Sequence, residues 1–225
     1  MSYWENAPGT MMPAYMALAL TSIRRVLGDR FLLCTPQTIQ ELIDPHILNK
    51  NWAFEPLAFT LDDGIEAIVA KSDFIRMALV HRYGGVWLDA DTICLHDPTD
   101  ALFPMGLSHK LHWHSECVFA SLPGNHILEK ALIIGLEEET HFWGNPGKIK
   151  DIVAKSEDML VPITSEIFDS GYRPLYNFSS CEVMRSQDLS VNEFLLNDIC
   201  IIKLYNTYFR RTAKRMESVG EFLAG

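Results

Sequence analysis

The spacing of apolar positions along the chain predicts short strands that alternate with helices. The N-terminal part predicts four elements in the order β-α-β-α: a strand over residues 1–4, a helix over 14–27 that ends at Gly28, a strand over 30–34 and a helix from about 36 to 43.

The most regular segment is a long helix predicted from about Gly64 to Arg82, where apolar residues recur at spacings of three and four. Asp62 or Asp63 can cap its first turn. The pair Gly84 and Gly85 ends this helix, and the strand VWLDA follows it directly.

The remaining elements are predicted from shorter signals: a strand over 93–95, a strand over 116–121, a helix over 127–136 capped by Asn125, a strand over 199–204 and a helix over the basic residues 210–215. Alternation of this kind predicts the α/β class, with a mostly parallel central sheet flanked by helices. We expect residues 1–225 to form a single domain.

Composition narrows the classes of partner. The formal net charge is −10, which argues against a nucleic-acid-binding surface. The sequence contains no apolar run long enough to span a membrane and no signal-peptide pattern at its start, so it predicts a cytoplasmic protein without a transmembrane segment. The five cysteines show no disulfide or zinc spacing, and we expect them to be reduced and mostly buried.

The residues that carry chemistry lie in KSDFIRMALVHRYGGVWLDADTICLHDP, residues 71–98. Asp89 and Asp91 stand where an apolar strand ends, and in open α/β sheets ligands bind at that edge. Two carboxylates one residue apart can approach one divalent cation, and oxygen ligands suit Mg²⁺ or Mn²⁺. Read without their neighbours, the same residues could be a strand-end Asp and a turn former.

Asp73 and Arg76 precede this strand at spacing i and i+3, so they share one helix surface. Arg76 could contact a phosphate or a sugar, and Asp73 could accept hydrogen bonds from sugar hydroxyls. A surface ion pair of small energetic consequence is the alternative for these two.

Taken together, these residues resemble the DXD sugar-binding region of GT-A glycosyltransferases. The resemblance is closest to the group that contains yeast initiating mannosyltransferases, clostridial glucosylating toxins and bacterial capsular polysaccharide synthesis proteins. It rests on Ser72, Asp73, Arg76, Gly84, Gly85, Asp89 and Asp91, and extends to Tyr3 and Trp4 near the start.

The resemblance implies a role for each matching residue. Trp4 would stack on uracil or another base, although it could also be plain core. Asp73 would hold the donor sugar and Arg76 would contact the sugar or phosphate. Asp89 would bind the ribose and sugar hydroxyls and contact the metal through water, and Asp91 would be the direct ligand of Mn²⁺ or Mg²⁺.

The implied activity is a metal-dependent transfer of a hexose or deoxyhexose from a nucleoside diphosphate sugar, UDP-linked by preference, to a hydroxyl of a glycan acceptor. The family implies retention of anomeric configuration. Residues 1–110 would form the nucleotide-sugar-binding part with its GT-A fold, and residues 111–225 the acceptor side.

Other residues are weaker candidates. His112 and His114 lie in a loop or strand after the DxD segment; in a strand they would share one face, and they could lie on the surface or line an acceptor cleft. Asn206 and Tyr208 follow the last predicted strand and could complete a metal or phosphate site. The basic residues near 210–215 could meet a diphosphate or the surface of an anionic membrane, or form a solvated helix face.

Two other functions remain open from the sequence. A haloacid-dehalogenase-like phosphatase would use Asp89 as nucleophile and Asp91 as acid and base, but that fold opens with its DxD strand. A non-catalytic sugar-nucleotide-binding module is the second alternative. The chain could also be the catalytic domain of a longer enzyme.

Overall fold

The computed structural model describes residues 1–43, 64–137, 149–163 and 199–204. Within these ranges the strands and helices are β1 Ser2–Tyr3, α1 Ala14–Leu27, β2 Leu33–Cys34, α2 Ile39–Leu42, α3 Gly64–Tyr83, β3 Gly85–Leu88, β4 Thr92–Cys94, α4 Thr99–Leu102, β5 Leu111–Ser115, β6 Val118–Ser121, α5 His126–Glu137, α6 Ile149–Ala154, β7 Leu160–Pro162 and β8 Ile201–Lys203. No helix in these ranges is long and apolar enough to cross a membrane.

The chain divides into two compact units, and its path passes between them more than once. Of the described residues, the first unit contains 1–13, 29–43, 64–90, 103–137 and 149–163, and the second contains 14–28, 91–102 and 199–204. The boundary after Ala90 places Asp89 in the first unit and Asp91 in the second.

The first unit is built around helix α3, which packs against β1, β3 and α5. Every residue from 74 to 80 of this helix is buried, whereas the sequence predicted a single apolar stripe. Trp87 on β3, Leu111 on β5 and Phe119 on β6 belong to the same apolar core. A polar residue in such a buried segment needs hydrogen-bond or charge partners. Arg76 is a polar residue of this kind.

The sheets of the first unit correct the prediction of a mostly parallel central sheet. The main sheet has the order β3-β6-β5-β7, with antiparallel pairing of β3 with β6 and of β5 with β6, and parallel pairing of β5 with β7. A separate parallel pair joins β1 to β2. Only Glu116 and Cys117 connect β5 to β6, and so short a connection forces an antiparallel hairpin.

The second unit pairs one amphipathic helix with a small antiparallel ladder. Helix α1 buries Met16, Ala19, Leu20 and Ile23, which lie on one face, and it packs on β4. Strand β4 pairs with β8 so that Thr92 lies opposite Lys203. The hydroxyl of Ser22 accepts a hydrogen bond of 2.8 Å from the amide of Cys94, which fixes the helix to the strand.

Several predicted boundaries agree with the structure. Helix α1 has the predicted bounds, and the side chain of Asn125 caps α5 by accepting bonds from the amides of Ile127 at 3.0 Å and Leu128 at 3.2 Å. Helix α2 begins at Ile39 and not near Pro36, because the Thr38 hydroxyl accepts the Thr35 amide at 2.9 Å and closes a turn first.

The described cysteines are free thiols, as the sequence predicted, and Cys34, Cys94 and Cys200 are buried. Burial raises the pKa of Cys34 to about 11 and that of Cys94 to about 12. Cys181, the capping residues Asp62 and Asp63, and the basic segment 210–215 lie outside the described residues.

Candidate functional site

A glycine turn carries the chain directly from α3 into β3. The Gly84 amide donates to the carbonyl of Val80 at 2.9 Å, and its φ of +66° lies in the left-handed region that favours glycine. A Cβ at this position would lie 2.6 Å from Cδ of Pro123. The turn therefore joins the helix that carries Asp73 and Arg76 to the strand that leads to Asp89.

Arg76 holds two carboxylates near the end of this strand. Its Nη2 lies 2.9 Å from Oδ1 of Asp73, and its Nη1 lies 3.8 Å from Oδ1 of Asp89. The guanidinium side chain is only 7% exposed, whereas Asp73 and Asp89 are 19% and 21% exposed. The cation is thus enclosed, and both acidic side chains still reach the surface.

Two further bonds orient Asp89. The indole N–H of Trp87 donates to Oδ1 of Asp89 at 2.8 Å, as the i, i+2 spacing of an extended segment allows. The amide of Asp89 donates to the carbonyl of Cys117 at 3.0 Å, which places the β5–β6 hairpin beside it. Asp89 is therefore held through its carboxylate by Trp87 on the strand and through its backbone amide by the neighbouring hairpin.

The charge of Arg76 is maintained despite its burial. Burial lowers the pKa of this guanidinium, but Asp73, Asp89 and the hairpin residue Glu116 raise it, and the net effect is a pKa above the ordinary value. In the described part of the chain, Nε of Arg76 and Oε1 of Glu116 are buried without a hydrogen-bond partner. A buried donor and a buried acceptor of this kind are uncommon in folded proteins.

Trp4 lies just beyond β1 and is partly exposed, so it is not a core residue. Its indole N–H donates to Oδ1 of Asn6 at 2.8 Å. The next residue, Glu5, accepts bonds from the hydroxyl of Tyr3 and from Nζ of Lys71, the latter at 2.7 Å. Because Lys71 precedes Asp73 by two residues, this ion pair attaches the segment that contains Trp4 to the start of the Asp73–Arg76 turn of α3.

Asp91 has different surroundings, in the second unit. Its Oδ1 accepts a bond from Nζ of Lys203, and the two side chains are 10% and 9% exposed. The carbonyl of Asp91 also accepts the amide of Leu204 at 2.8 Å. Asp91 is therefore attached to β8 through both its backbone and its side chain.

These surroundings do not fit the divalent ion that the sequence predicted at Asp91. Oδ1 of Asp91 already bonds an ammonium group, and a second cation on the same oxygen would repel the first. Among the described residues, no group of three or more His, Cys, Asp or Glu side chains could hold a metal ion.

The weaker candidates lie elsewhere. His112 is 5% exposed, and its Nε2 accepts the Ser108 amide at 3.3 Å, while Nδ1 of His114 lies 2.9 Å from the hydroxyl of Ser115. Burial lowers the pKa of His112, which favours its neutral form. Asn206 and Tyr208 lie outside the described residues.

The comparison with known families bears on the segment just described. Residues 33–108 match the family model of the glycosyltransferase sugar-binding region containing a DXD motif. The match covers about a third of the chain and includes Asp73, Arg76, Asp89 and Asp91. It supports a glycosyltransferase type of family, with which a mixed α/β structure is consistent. No curated protein matches the chain.

The structure brings Asp73, Arg76 and Asp89 together and adds three residues that the sequence analysis did not select. Trp87 precedes Asp89 by two positions, which was a usable signal for a shared face. Lys203 interrupts the apolar run CIIKLY, and a charge in a buried strand indicates a partner. Glu116 offered no such signal, because only the hairpin places it near Arg76.

Proposed function

We propose that this chain binds a nucleoside diphosphate sugar through Asp73, Arg76 and Asp89 and transfers the sugar to a hydroxyl group of a glycan. The observation that supports this function is the buried guanidinium of Arg76, which holds two partly exposed carboxylates beside the end of β3. The family match over residues 33–108 supports the same reaction class.

Each group has a binding role in this proposal. The carboxylates of Asp73 and Asp89 accept hydrogen bonds from hydroxyls of the donor sugar and the ribose. Arg76 offers a permanent positive charge to the phosphates. Trp4 stacks on the base, because this residue is partly exposed and its indole N–H is already bonded. We take the base to be uracil.

The transfer exchanges one bond at the anomeric carbon for another. The bond between that carbon and the diphosphate oxygen breaks, a bond to the acceptor oxygen forms, and the hydroxyl proton passes to the departing diphosphate. Attack on the face from which the diphosphate leaves retains the anomeric configuration and requires no protein base. The transferred group is a hexose or deoxyhexose.

The test is calorimetric titration of the protein with UDP and a panel of nucleoside diphosphate sugars. We expect one sugar nucleotide to bind, and Arg76→Gln to weaken it by at least about tenfold, equivalent to about 1.4 kcal/mol. Arg82→Gln is the matched control, because Arg82 lies on the same helix but is exposed.

Three results would contradict the proposal. Absence of binding by every sugar nucleotide would mean that the chain has no donor site. Turnover of p-nitrophenyl phosphate by the wild type, lost in Asp89→Asn, would favour the phosphatase. Binding without any release of UDP in the presence of glycan acceptors would favour a non-catalytic binding module.

A further inference from the structure

The buried ion pair between Lys203 and Asp91 is the feature of the second unit that the proposed reaction does not use. Both side chains are almost fully enclosed, and Nζ of Lys203 bonds Oδ1 of Asp91 directly. Burying two charges is costly unless the geometry of the pair is good and its remaining polar groups are satisfied.

The backbone does hold both partners. Lys203 lies opposite Thr92 in the antiparallel ladder of β4 and β8, and the Leu204 amide bonds the Asp91 carbonyl at 2.8 Å. The neighbouring positions Ile201 and Ile202 are buried, so the ladder fixes the base of the lysine side chain. Strand β8 therefore positions the lysine ammonium group beside Asp91, and the group does not lie on a mobile surface side chain.

We propose that Lys203 is the resident cation of Asp91, and that this chain therefore takes a nucleoside diphosphate sugar without a divalent metal ion. The proposal rests on the proposed function and departs from the metal dependence that the DXD sequence implies. It follows from position: the lysine ammonium already bonds one carboxylate oxygen of Asp91, and both side chains are almost fully enclosed.

The chemistry of the lysine suits this role. An ammonium group is a compact positive charge, so beside Asp91 it supplies the charge that another cation at this carboxylate would supply. Asp91 limits the motion of this ammonium group.

The experiment measures binding of Mn²⁺ alone, by electron paramagnetic resonance of the free ion, to the full chain. We expect the wild type to leave Mn²⁺ free, and Lys203→Gln to bind it at least about tenfold more tightly. Lys203→Arg should behave as the wild type, because it keeps the charge. Lys71→Gln is the matched control, since it removes an ammonium group from Glu5 in the first unit.

Two outcomes of this titration would overturn the inference. If the wild type binds Mn²⁺ as tightly as Lys203→Gln, the lysine does not exclude the ion. If neither folded protein binds Mn²⁺, Asp91 is not a cation position and the pair is structural only. Circular dichroism establishes that each variant is folded.

A second measurement uses only the wild type, in case Lys203→Gln does not fold. UDP should bind with equal affinity in chelator and in Mn²⁺, and an affinity at least about tenfold higher in Mn²⁺ would overturn the inference. Absence of UDP binding in both conditions would count against the proposed function. The titration of the wild type with Mn²⁺ alone would then test the inference, and binding of the ion would overturn it.

Discussion

Asp89 and Asp91 are one residue apart in the chain, yet their surroundings differ in kind. Asp89 shares Arg76 with Asp73, receives the indole N–H of Trp87 and remains 21% exposed. Asp91 pairs with Lys203 and is only 10% exposed. The first carboxylate is oriented and accessible, whereas the second is neutralised and enclosed.

The difference shows that a DxD spacing does not fix what the two carboxylates do. Backbone position decides it: Asp89 follows β3, which ends beside helix α3, and Asp91 precedes β4, which pairs with β8. We therefore propose ligand binding for the group around Asp89 and charge compensation for the group around Asp91.

The largest expected effect comes from breaking the enclosed pair. Asp91→Leu or Lys203→Met alone leaves a buried charge without its partner, so each should lower the free energy of unfolding by about 3–5 kcal/mol. The double variant should recover most of this loss, because an apolar pair of similar volume carries no desolvation cost. Urea unfolding of the four proteins measures the coupling, and additive losses would mean that the pair is not enclosed.

Removing Arg76 should have a smaller effect, because Asp73 and Asp89 keep some contact with water. We expect Arg76→Gln to lower the free energy of unfolding by about 2–3 kcal/mol. Arg82→Gln, on the exposed side of the same helix, should change it by less than about 1 kcal/mol. Equal losses in the two variants would show that Arg76 has no special partners.

The turn between α3 and β3 tests whether the first unit depends on the precise end of its helix. Gly84→Ala should lower the free energy of unfolding by about 2 kcal/mol, because an L-residue at a φ of +66° is strained and its Cβ would clash with Pro123. Gly106→Ala is the control, because its φ is also positive but no atom lies within 4 Å of its Cβ. A loss no larger than that of the control would mean that Pro123 moves aside.

The smallest expected effect is on pH dependence within the first unit. Burial lowers the pKa of His112, so the unfolded chain binds a proton at this histidine more tightly than the folded chain does. The stability that neutral His112 contributes is therefore lost as the pH falls below the ordinary histidine pKa of about 6.5. The Tm of the wild type should therefore fall further between neutral and mildly acidic pH than the Tm of His112→Gln does. His126→Gln, at an exposed position, should follow the wild type, and identical curves for all three proteins would contradict this role of His112.

Patterns of neighbouring residues predicted the helices and strands of this chain better than they predicted how the strands pair. Helix α1 and the Asn125 cap follow from neighbouring residues, and so does the glycine turn after α3. The direction of strand pairing does not, because β5 lacks a clean apolar alternation: Leu111 and His112 are adjacent and both are buried. The expectation of a mostly parallel sheet failed because the two-residue connection between β5 and β6 forces these strands to pair antiparallel.

The candidate site divides in the same way. The spacing of Asp73 and Arg76 on one helix and the strand-end position of Asp89 could be read from the sequence. The partner of Asp91 could not, since Lys203 lies 112 residues away and reaches it only through the pairing of β4 with β8. Long-range pairing of this kind leaves no periodic signal near either residue.

The most direct test of the account is the release of UDP from a panel of UDP-sugars by the wild-type chain, measured in chelator and in Mn²⁺ with glycan acceptors present. The account predicts release from one donor at the same rate in both conditions, and loss of release in Arg76→Gln. No release from any donor in either condition would contradict the account.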